Sequence, residues 1–158
     1  MSGIATCLWF DGQAEEAIAF YVAAFRRAGR PAEPGRVLRG APQEVERVLL
    51  VTAVLDGHEV QGLNGGPEHR LSPAISLSVA CKDQAEVDAL WEALGEGGSP
   101  VACGWLTDRF GVSWQIFPKV LPEMLTSPDR KAAARAMQAM MKMVKIEVAP
   151  LEAAFAEG

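Results

Sequence analysis

Residues 74–94, AISLSVACKDQAEVDALWEAL, predict a strand, a turn and an amphipathic helix. The apolar run 74–80 is typical of a buried strand. Asp83 followed by Glu86 resembles the capping box of a helix N-terminus. Beyond this box, apolar residues recur at the i, i+3, i+4, i+7 spacing of one helix face: Val87, Leu90, Trp91 and Leu94.

The same pattern occurs 70 residues earlier in the chain. Residues 4–10, IATCLWF, form an apolar run that ends at Asp11-Gly12, and a helical periodicity follows. At this offset the helix positions match in character or identity: Glu16/Glu86, Ala17/Val87, Ala19/Ala89, Phe20/Leu90, Tyr21/Trp91, Ala23/Ala93 and Ala24/Leu94. A match sustained over strand and helix indicates two copies of one supersecondary unit.

Each copy continues with a predicted hairpin. In the first, 45–55 and 58–64 are strands joined by Asp56-Gly57. In the second, 104–108 and 112–117 flank a turn at 109–111. Superposing Gly57 on Gly111, an offset of 54, places Gln61 on Gln115 and Leu63 on Phe117. We expect a further strand within 29–47 and within 95–103, so that each copy has the order β-α-β-β-β.

Composition limits the class of protein. With 158 residues and 49% hydrophobic content, the chain can bury a core as one domain or two small halves. A net charge of −5 argues against a nucleic-acid partner. No apolar run approaches the roughly 20 residues that span a bilayer, and the start lacks a signal-peptide pattern, so we expect a cytoplasmic protein without a membrane partner. The three cysteines form no CxxC pair and are expected to be reduced.

The motifs resemble a known superfamily. The two βαβββ modules, AIAFYVAAF (17–25) and DRFGVSWQIFP (108–118) are similar to the vicinal oxygen chelate superfamily of glyoxalase I, extradiol dioxygenases and bleomycin-resistance proteins. Four segments resemble more narrowly its PhnB-like branch, often labelled demethylubiquinone 3-methyltransferase-like: LNGGP (63–67), 75–94, 103–118 and 139–155.

The resemblance implies an α+β fold in which two βαβββ modules, 1–66 and 67–118, have curled mixed sheets. A C-terminal helical extension follows at 119–158. It also implies a homodimer, because relatives complete their clefts by pairing modules across subunits.

In the metalloenzymes of the superfamily, the first and last strands of each module each supply one metal ligand. The resemblance places these positions on Thr6, Gln61, Ser76 and Gln115. These side chains are neutral hydroxyls and amides, whereas zinc, nickel or iron bind imidazole, thiolate or carboxylate tightly. We therefore expect no metal and no other cofactor.

Strand alternation assigns faces to these positions, because residues i and i+2 share a face. We expect Thr6, Leu8 and Phe10 to line a cleft while Cys7 and Trp9 pack under the helices. Ser76 and Ser78 would line it while Ile75, Leu77 and Val79 pack, and Gln115 and Phe117 would share its lining with Ser113. The predicted ligand-binding residues are Thr6, Leu8, Gln61, Leu63, Asn64, Ser76, Ser78, Trp105, Gln115 and Phe117. Alternatively, the polar residues satisfy one another in a closed core or meet solvent.

Other candidate residues have simpler readings. His58 and His69 follow turn residues and are predicted to be solvated loop histidines rather than a metal or acid–base pair. Cys7 is predicted to pack rather than act as a nucleophile.

From Ser127-Pro128 an amphipathic helix is expected, with the polar side Lys131, Arg135, Gln138, Lys142 and Lys145 and the apolar side Ala133, Met137, Met140, Met141 and Val144. That apolar side either covers a sheet or a second subunit, or forms a lid over a ligand.

The favoured function is metal-independent binding of a small molecule, in the manner of antibiotic-sequestering proteins. The alternative is an isomerase or lyase of the glyoxalase kind, for which the four positions offer no general base. A methyltransferase is not expected, because no strand leads into a glycine-rich turn that cradles an adenosyl cofactor. The glycines of 95–98 follow a helix instead.

Overall fold

The computed structural model describes residues 3–157, which form two α+β units. Unit 1 comprises the described residues up to Ser72 together with Phe110–Val112. Unit 2 comprises Pro73–Arg109 and the described residues from Ser113 onward. Each unit contains one four-stranded mixed sheet, so the predicted α+β fold of two βαβββ modules is confirmed. The sheets are uncurled, unlike those that the resemblance implied. The division at 66 and 118 stays a prediction.

Unit 1 contains the βαβββ elements expected of the first module. Its strand order is β1-β4-β3-β2, with β1 parallel to β4 and the other pairs antiparallel. The β3–β4 hairpin turns at Asp56 and Gly57, whose φ angles of 50° and 82° lie in the left-handed region that such tight turns require. Its elements are β1 Thr6–Phe10, α1 Ala14–Arg27, β2 Ala32–Arg39, a 3-10 turn Pro42–Glu44, β3 Val48–Leu55 and β4 His58–Asn64.

Unit 2 repeats this arrangement and adds three helices. Its strand order is β5-β8-β7-β6, again with a parallel first pair. The expected extra strand is present in both units, but β6 is only two residues long. No helix within residues 3–157 is long and apolar enough to cross a membrane. The elements are β5 Ser76–Cys81, α2 Gln84–Gly95, β6 Ser99–Pro100, β7 Trp105–Thr107, β8 Ser113–Pro118, α3 Val120–Leu125, α4 Arg130–Met140 and α5 Val148–Ala156.

The core of unit 1 lies between its sheet and α1. The sheet approaches α1 closely at Gly62, because a Cβ atom there would lie 2.9 Å from Cγ1 of Ile18 and 3.2 Å from Cβ of Ala14. The side chain of Phe110 belongs to the same core. Its ring meets the rings of Phe10, Phe20 and Tyr21 edge-on, at centroid distances of 6.3, 5.5 and 6.2 Å. Such edge-to-face geometry is favourable for aromatic side chains.

Asn64 joins three elements of unit 1. Its Oδ1 accepts a hydrogen bond from the backbone N–H of Ala14 at 2.9 Å, which satisfies an otherwise unpaired donor in the first turn of α1. Its Nδ2 donates to the carbonyl oxygen of Val48 at 3.0 Å. The side chain is buried. Asn64 was predicted to contact a ligand, but both ends of its amide are used to hold α1 and β3 to the end of β4.

We expect Asn64→Ala to lower the free energy of unfolding by about 1–3 kcal/mol, because it removes the side-chain partners of the Ala14 N–H and of the Val48 carbonyl. Asn64→Asp keeps the acceptor for Ala14 but buries a charge and turns a carboxylate oxygen toward the carbonyl oxygen of Val48, so it should also lower stability at neutral pH. Urea unfolding at neutral pH measures both, and an Asn64→Ala variant as stable as the parent would contradict this role.

The C-terminal extension differs from its prediction. One amphipathic helix was expected to run to Lys145, but α4 ends at Met140 and a new helix, α5, begins at Val148. The buried side of α4 consists of alanines: Ala132, Ala133 and Ala136. Met137, Met141 and Val144, on the predicted covering side, are instead 40%, 65% and 51% exposed. Of the predicted apolar side, Ala133 is buried and Met140 packs against the neighbouring helices, whereas Met137, Met141 and Val144 cover no surface within the described residues.

The residues between the last two helices, 141–147, form a segment that we call the C-terminal strap. Backbone N–H groups of Cys103 and Gly104 donate to the carbonyl oxygens of Met143 and Val144, both at 2.8 Å. The amide of Gln84 also binds this region, donating to Ile146 O at 3.0 Å and accepting from Val148 N at 2.6 Å. The strap therefore attaches the extension to the start of α2 and to the turn before β7.

An ion pair adds to this attachment. Nζ of Lys145 lies 2.7 Å from Oδ1 of Asp88, on α2. Partial burial acts to raise the pKa of Asp88, but hydrogen bonds from Lys145 and Gln84 outweigh it and lower that pKa below 3.8. The hydrogen bond to Asp88 raises the pKa of Lys145 above 10.5. Both shifts favour the charged pair.

We expect Asp88→Asn to cost about 0.5 kcal/mol of stability at neutral pH, as is usual for a partly exposed pair. A carboxyl group whose pKa is lower in the folded protein than in the unfolded chain stabilises the fold at pH values above its unfolded pKa. This contribution is lost as the pH falls through the pKa of the folded protein. The difference from the parent should therefore begin to shrink near pH 3.8 and vanish only at a pH below the still lower pKa of the folded protein. For the lysine the sign is opposite, so its contribution should be lost above pH 10.5.

Urea unfolding across this pH range measures the effect. Glu152→Gln is the control, because Glu152 is exposed and forms no ion pair within the described chain. A cost for Asp88→Asn that stays constant through the acid range would show that the pair does not act electrostatically.

Candidate functional site

Each sheet has one face against a helix and one face turned away from it, which we call the open face. In unit 1, Gly62 points at α1, and Leu8 pairs with Gly62 in the parallel β1–β4 register. Paired residues share a face, so the even-numbered residues of β1 point toward the helix. The open face of unit 1 carries the alternate residues: Cys7, Trp9, Leu50, Thr52, Val54, Glu59, Gln61 and Leu63.

This register reverses the predicted faces of β1. Thr6, Leu8 and Phe10 lie on the α1 side, where Leu8 and Phe10 are buried, whereas Cys7 is exposed on the open face. Thr6 forms a 2.8 Å hydrogen bond between its Oγ1 and Nε2 of His58. The structure therefore does not bring Thr6 and Leu8 to the same surface as Gln61. The residue opposite Gln61 is Cys7.

A one-residue difference in turn length explains the reversal. Three residues join β1 to α1, but only two join β5 to α2. The helices therefore correspond at an offset of 70, while the register partners of Gln61 and Gln115 are Cys7 and Ser78, an offset of 71. Because strand side chains alternate, a shift of one residue moves every one of them to the other face.

In unit 2 the predicted alternation of β5 and β8 is what the structure shows. Gln115 faces Ser78 and Trp105 on the two neighbouring strands, and its Nε2 donates to Oγ of Ser76 at 2.9 Å. Val79, Trp114 and Ile116 are buried on the opposite face. Ile75, predicted to pack, is 73% exposed because it precedes the strand. The open face of unit 2 thus contains Ser76, Ser78, Trp105, Thr107, Ser113, Gln115 and Phe117.

The two ends of this face differ. Trp105 and Gln115 are half-buried, which leaves part of each side chain accessible. Phe117 instead packs against the cluster formed by the C-terminal helices, whose buried members are Leu121, Met124, Ala136, Ile146 and Leu151. The C-terminal extension therefore covers the Phe117 end of the open face and leaves the Gln115 region partly accessible.

The open face of unit 1 holds an acid that the sequence analysis missed. Glu59 lies two residues before Gln61 on β4, hence on the same face, and is only 9% exposed. Nε2 of Gln61 donates to Oε1 of Glu59 at 3.0 Å. The alternation of Glu59, Gln61 and Leu63 along the strand was the available signal. The resemblance to the superfamily points to Gln61 alone on this strand and so gives no indication of Glu59.

Trp9 forms one wall of this face. Its indole Nε1 donates to the carbonyl oxygen of Gly66 at 2.8 Å, and the ring of His69 meets it edge-on at 4.7 Å. Gly65 lies directly under the indole, so that a Cβ there would be 2.3 Å from the ring. The glycines of the LNGGP motif therefore allow the chain to pass beneath Trp9. His58 and His69 are both exposed. His58 forms its hydrogen bond with Thr6, and His69 contacts Trp9.

Gly65→Ala should lower stability by about 1–3 kcal/mol, because the added methyl group must displace the buried part of the indole. The matched control is Gly95→Ala, whose methyl group would meet only Cδ2 of Leu106 at 3.7 Å and should be neutral or slightly stabilising. Thermal unfolding and near-ultraviolet circular dichroism report both changes. Equal stability of the two variants would contradict the close packing of Trp9 on Gly65.

The ionisable groups of the site have limited reactivity. Although Cys7 is exposed on the open face, its sulfur is partly desolvated by its neighbours. This desolvation raises the pKa of the Cys7 thiol, so at neutral pH the group is the protonated thiol rather than the nucleophilic thiolate. No group of three or more His, Cys, Asp or Glu suited to a metal ion occurs within residues 3–157. What the two open faces offer is amide and hydroxyl groups next to aromatic and aliphatic walls, with Glu59 as the carboxylate on β4.

Comparisons with known proteins bear on the family. A family model described as 3-demethylubiquinone-9 3-methyltransferase matches residues 2–117. A PhnB protein from Bacillus cereus is 29% identical, with a TM-score of 0.63, over 74% of this chain and 98% of that one. Protein PA1353 from Pseudomonas aeruginosa is 24% identical, with a TM-score of 0.58, over 73% and 96%. A glyoxalase/bleomycin resistance protein from Albidiferax ferrireducens T118 is 15% identical, with a TM-score of 0.48, over 72% and 95%. No curated protein matches the chain.

Proposed function

We propose, from the premise that this chain belongs to the 3-demethylubiquinone-9 3-methyltransferase family, that it binds a small molecule on the open faces of its sheets without a metal ion. The PhnB-like branch predicted from the sequence is thereby confirmed. The proposal includes a homodimer, as the resemblance implies, and the cytoplasmic location that the sequence led us to expect. Its ligand-contacting residues are those of the predicted set that lie on the accessible parts of the open faces: Gln61, Leu63, Ser76, Ser78, Trp105 and Gln115.

The observation that carries the proposal is the equivalent placement of two half-buried glutamines. Gln61 and Gln115 occupy the same position of β4 and β8, and each uses its Nε2 to bind a neighbouring side chain of its own face. Neither Oε1 accepts a hydrogen bond within residues 3–157, so each offers an oriented acceptor beside an apolar wall. Small-molecule sites combine apolar walls with a few such placed polar groups.

The donor chemistry supports metal independence. The side chains around Gln115 are hydroxyls and an indole, and those around Gln61 are a protonated thiol, a hydroxyl and one carboxylate. Zinc, nickel and iron sites draw on several imidazole, thiolate or carboxylate ligands. A single carboxylate among neutral groups provides too little charge and too few ligands for tight binding.

The family description names a methyltransferase, yet the fold does not favour that activity here. Binding of an adenosyl cofactor in a doubly wound fold relies on a glycine-rich turn between a parallel strand and a helix. The corresponding turn, between β1 and α1, contains the single glycine Gly12. Each sheet is a mixed sheet of four strands rather than a doubly wound parallel one. We therefore propose binding rather than methyl transfer.

An isomerase or lyase activity is the second candidate, and Glu59 is the observation that favours it. A carboxylate on the open face, held by the amide of Gln61, is placed as a general base would be. The absence of such a group from the four inferred positions was the main argument against an enzyme. Because Glu59 lies next to one of these positions on the same face, that argument is weaker than the sequence suggested.

Binding is tested by isothermal titration and thermal shift with a panel of aromatic antibiotics, glycopeptides and methylglyoxal adducts. For a compound that binds, Gln115→Leu and Trp105→Ala should each weaken binding roughly tenfold, by removing an acceptor and a wall. Gln138→Leu is the matched control, because Gln138 is exposed on α4, and it should bind as the parent does.

Elemental analysis of the purified protein decides the metal question. Stoichiometric nickel, zinc, iron or manganese that disappears in Gln115→Ala would overturn metal independence. A panel without a single binder, or a binder unaffected by Gln115→Leu and Trp105→Ala, would overturn the proposed site. Turnover of a bound compound that is lost in Glu59→Gln would establish the enzyme alternative.

A further inference from the structure

We propose that the open face of unit 1 binds an organic ammonium ion attached to an extended apolar chain. The proposal names a ligand class and rests on the proposed function, because it takes the open face to be a ligand surface. Two features of this face carry it. One is a continuous apolar row across all four strands, and the other is the carboxylate of Glu59 at a fixed distance from that row.

The apolar row follows directly from the strand register. Trp9 pairs with Leu63, Leu63 with Leu50, and Leu50 with Leu38, so these four side chains lie side by side across the sheet. Three strand spacings make the row about 14 Å long. Trp9, Leu50 and Leu63 are half-buried, and Leu38 is 54% exposed. Covering this partly exposed apolar surface with a hydrocarbon chain removes apolar area from water, which is favourable for binding.

Strand β4 also carries the polar end of the site. Along β4, Gln61 lies about 7 Å and Glu59 about 14 Å from Leu63, at about 3.4 Å per residue. The row next to the leucines holds Cys7, Gln61 and Thr52. The row beyond contains Glu59 opposite Val54. A ligand on this face therefore meets hydrocarbon at one end, amide and hydroxyl in the middle, and a carboxylate at the other end.

The charge of Glu59 selects the ligand. Its side chain is about nine-tenths buried, yet its hydrogen-bond partner is the neutral amide of Gln61. No Lys, Arg or His within residues 3–157 forms an ion pair with it. A buried charge without a counter-charge is costly, and a cation that neutralises it binds favourably. An ammonium group has three donors, for which Glu59 and the amide oxygen of Gln61 supply acceptors.

An anionic ligand would be rejected by the same group. A carboxylate placed beside Glu59 would add a second negative charge in a poorly solvated position. A neutral alcohol of the same chain length would keep the apolar contacts and lose only the charge interaction. Comparing the affinities of the three head groups therefore separates the contribution of the apolar row from that of Glu59.

The experiment uses the full chain and three probes with one hydrocarbon chain: octylamine, octanol and octanoate. Titration calorimetry should give the order octylamine, octanol, octanoate from tightest to weakest, and butylamine should bind more weakly than octylamine. Glu59→Gln, which keeps the shape and removes the charge, should weaken octylamine roughly tenfold or more and leave octanol unchanged. Glu16→Gln on the exposed side of α1 is the matched control and should change neither.

Leu38→Ser tests the apolar row at its most exposed residue and should weaken octylamine and octanol alike. The comparison of head groups in the parent protein needs no variant, so the proposal remains testable even where Glu59→Gln unfolds. Equal binding of octylamine and octanoate, no binding of octylamine, or an unchanged preference for the amine in Glu59→Gln would each overturn the inference. Displacement of octylamine by equimolar zinc or nickel would also overturn it, by assigning Glu59 to a metal. None of these results affects binding that depends on Gln115 and Trp105, which tests the proposed function separately.

Discussion

The register of one parallel strand pair in each sheet determines which side chains can reach a ligand. Cys7 lies opposite Gln61, and Ser78 lies opposite Gln115. Once these pairs are fixed, strand alternation assigns every other residue of the sheet to the helix side or to the open face. The apolar row of unit 1, the position of Glu59 and the exposure of Cys7 all follow from the first pair. A different register would give the same fold with a different chemical surface.

Separate interactions outside the open faces hold the elements of each unit together. In unit 1, Asn64 holds the start of α1 and the start of β3 to the last residue of β4. In unit 2, Gln84 and Asp88 on α2 bind the C-terminal strap, which also pairs with the turn before β7. The amides of Asn64 and Gln84 have hydrogen-bond partners at both their oxygen and their nitrogen, whereas Gln61 and Gln115 each keep an available oxygen. The same residue type therefore serves two purposes according to the face on which it lies.

The repeat made most of the fold predictable. The helical spacing, the Asp56-Gly57 turn and the match of Gln61 with Gln115 are local patterns, and each has a direct structural counterpart. The faces of β1 were not predictable from the offset of 70, because a three-residue turn and a two-residue turn look alike in an alignment anchored on the helices. The break between α4 and α5 was missed because its cause is non-local, namely the hydrogen bonds of the strap to 103–104 and Gln84.

The unequal turns before α1 and α2 have an evolutionary consequence. In a duplicated module, insertion or deletion of one residue outside the sheet leaves the strands, the hairpin and the helix intact. Yet it exchanges the entire set of side chains that one strand presents, here Cys7 and Trp9 in place of Thr6 and Leu8. Most changes of ligand chemistry require several substitutions, each with its own cost in stability. A single length change at an exposed turn offers a shorter path, by which two similar modules can present unlike surfaces.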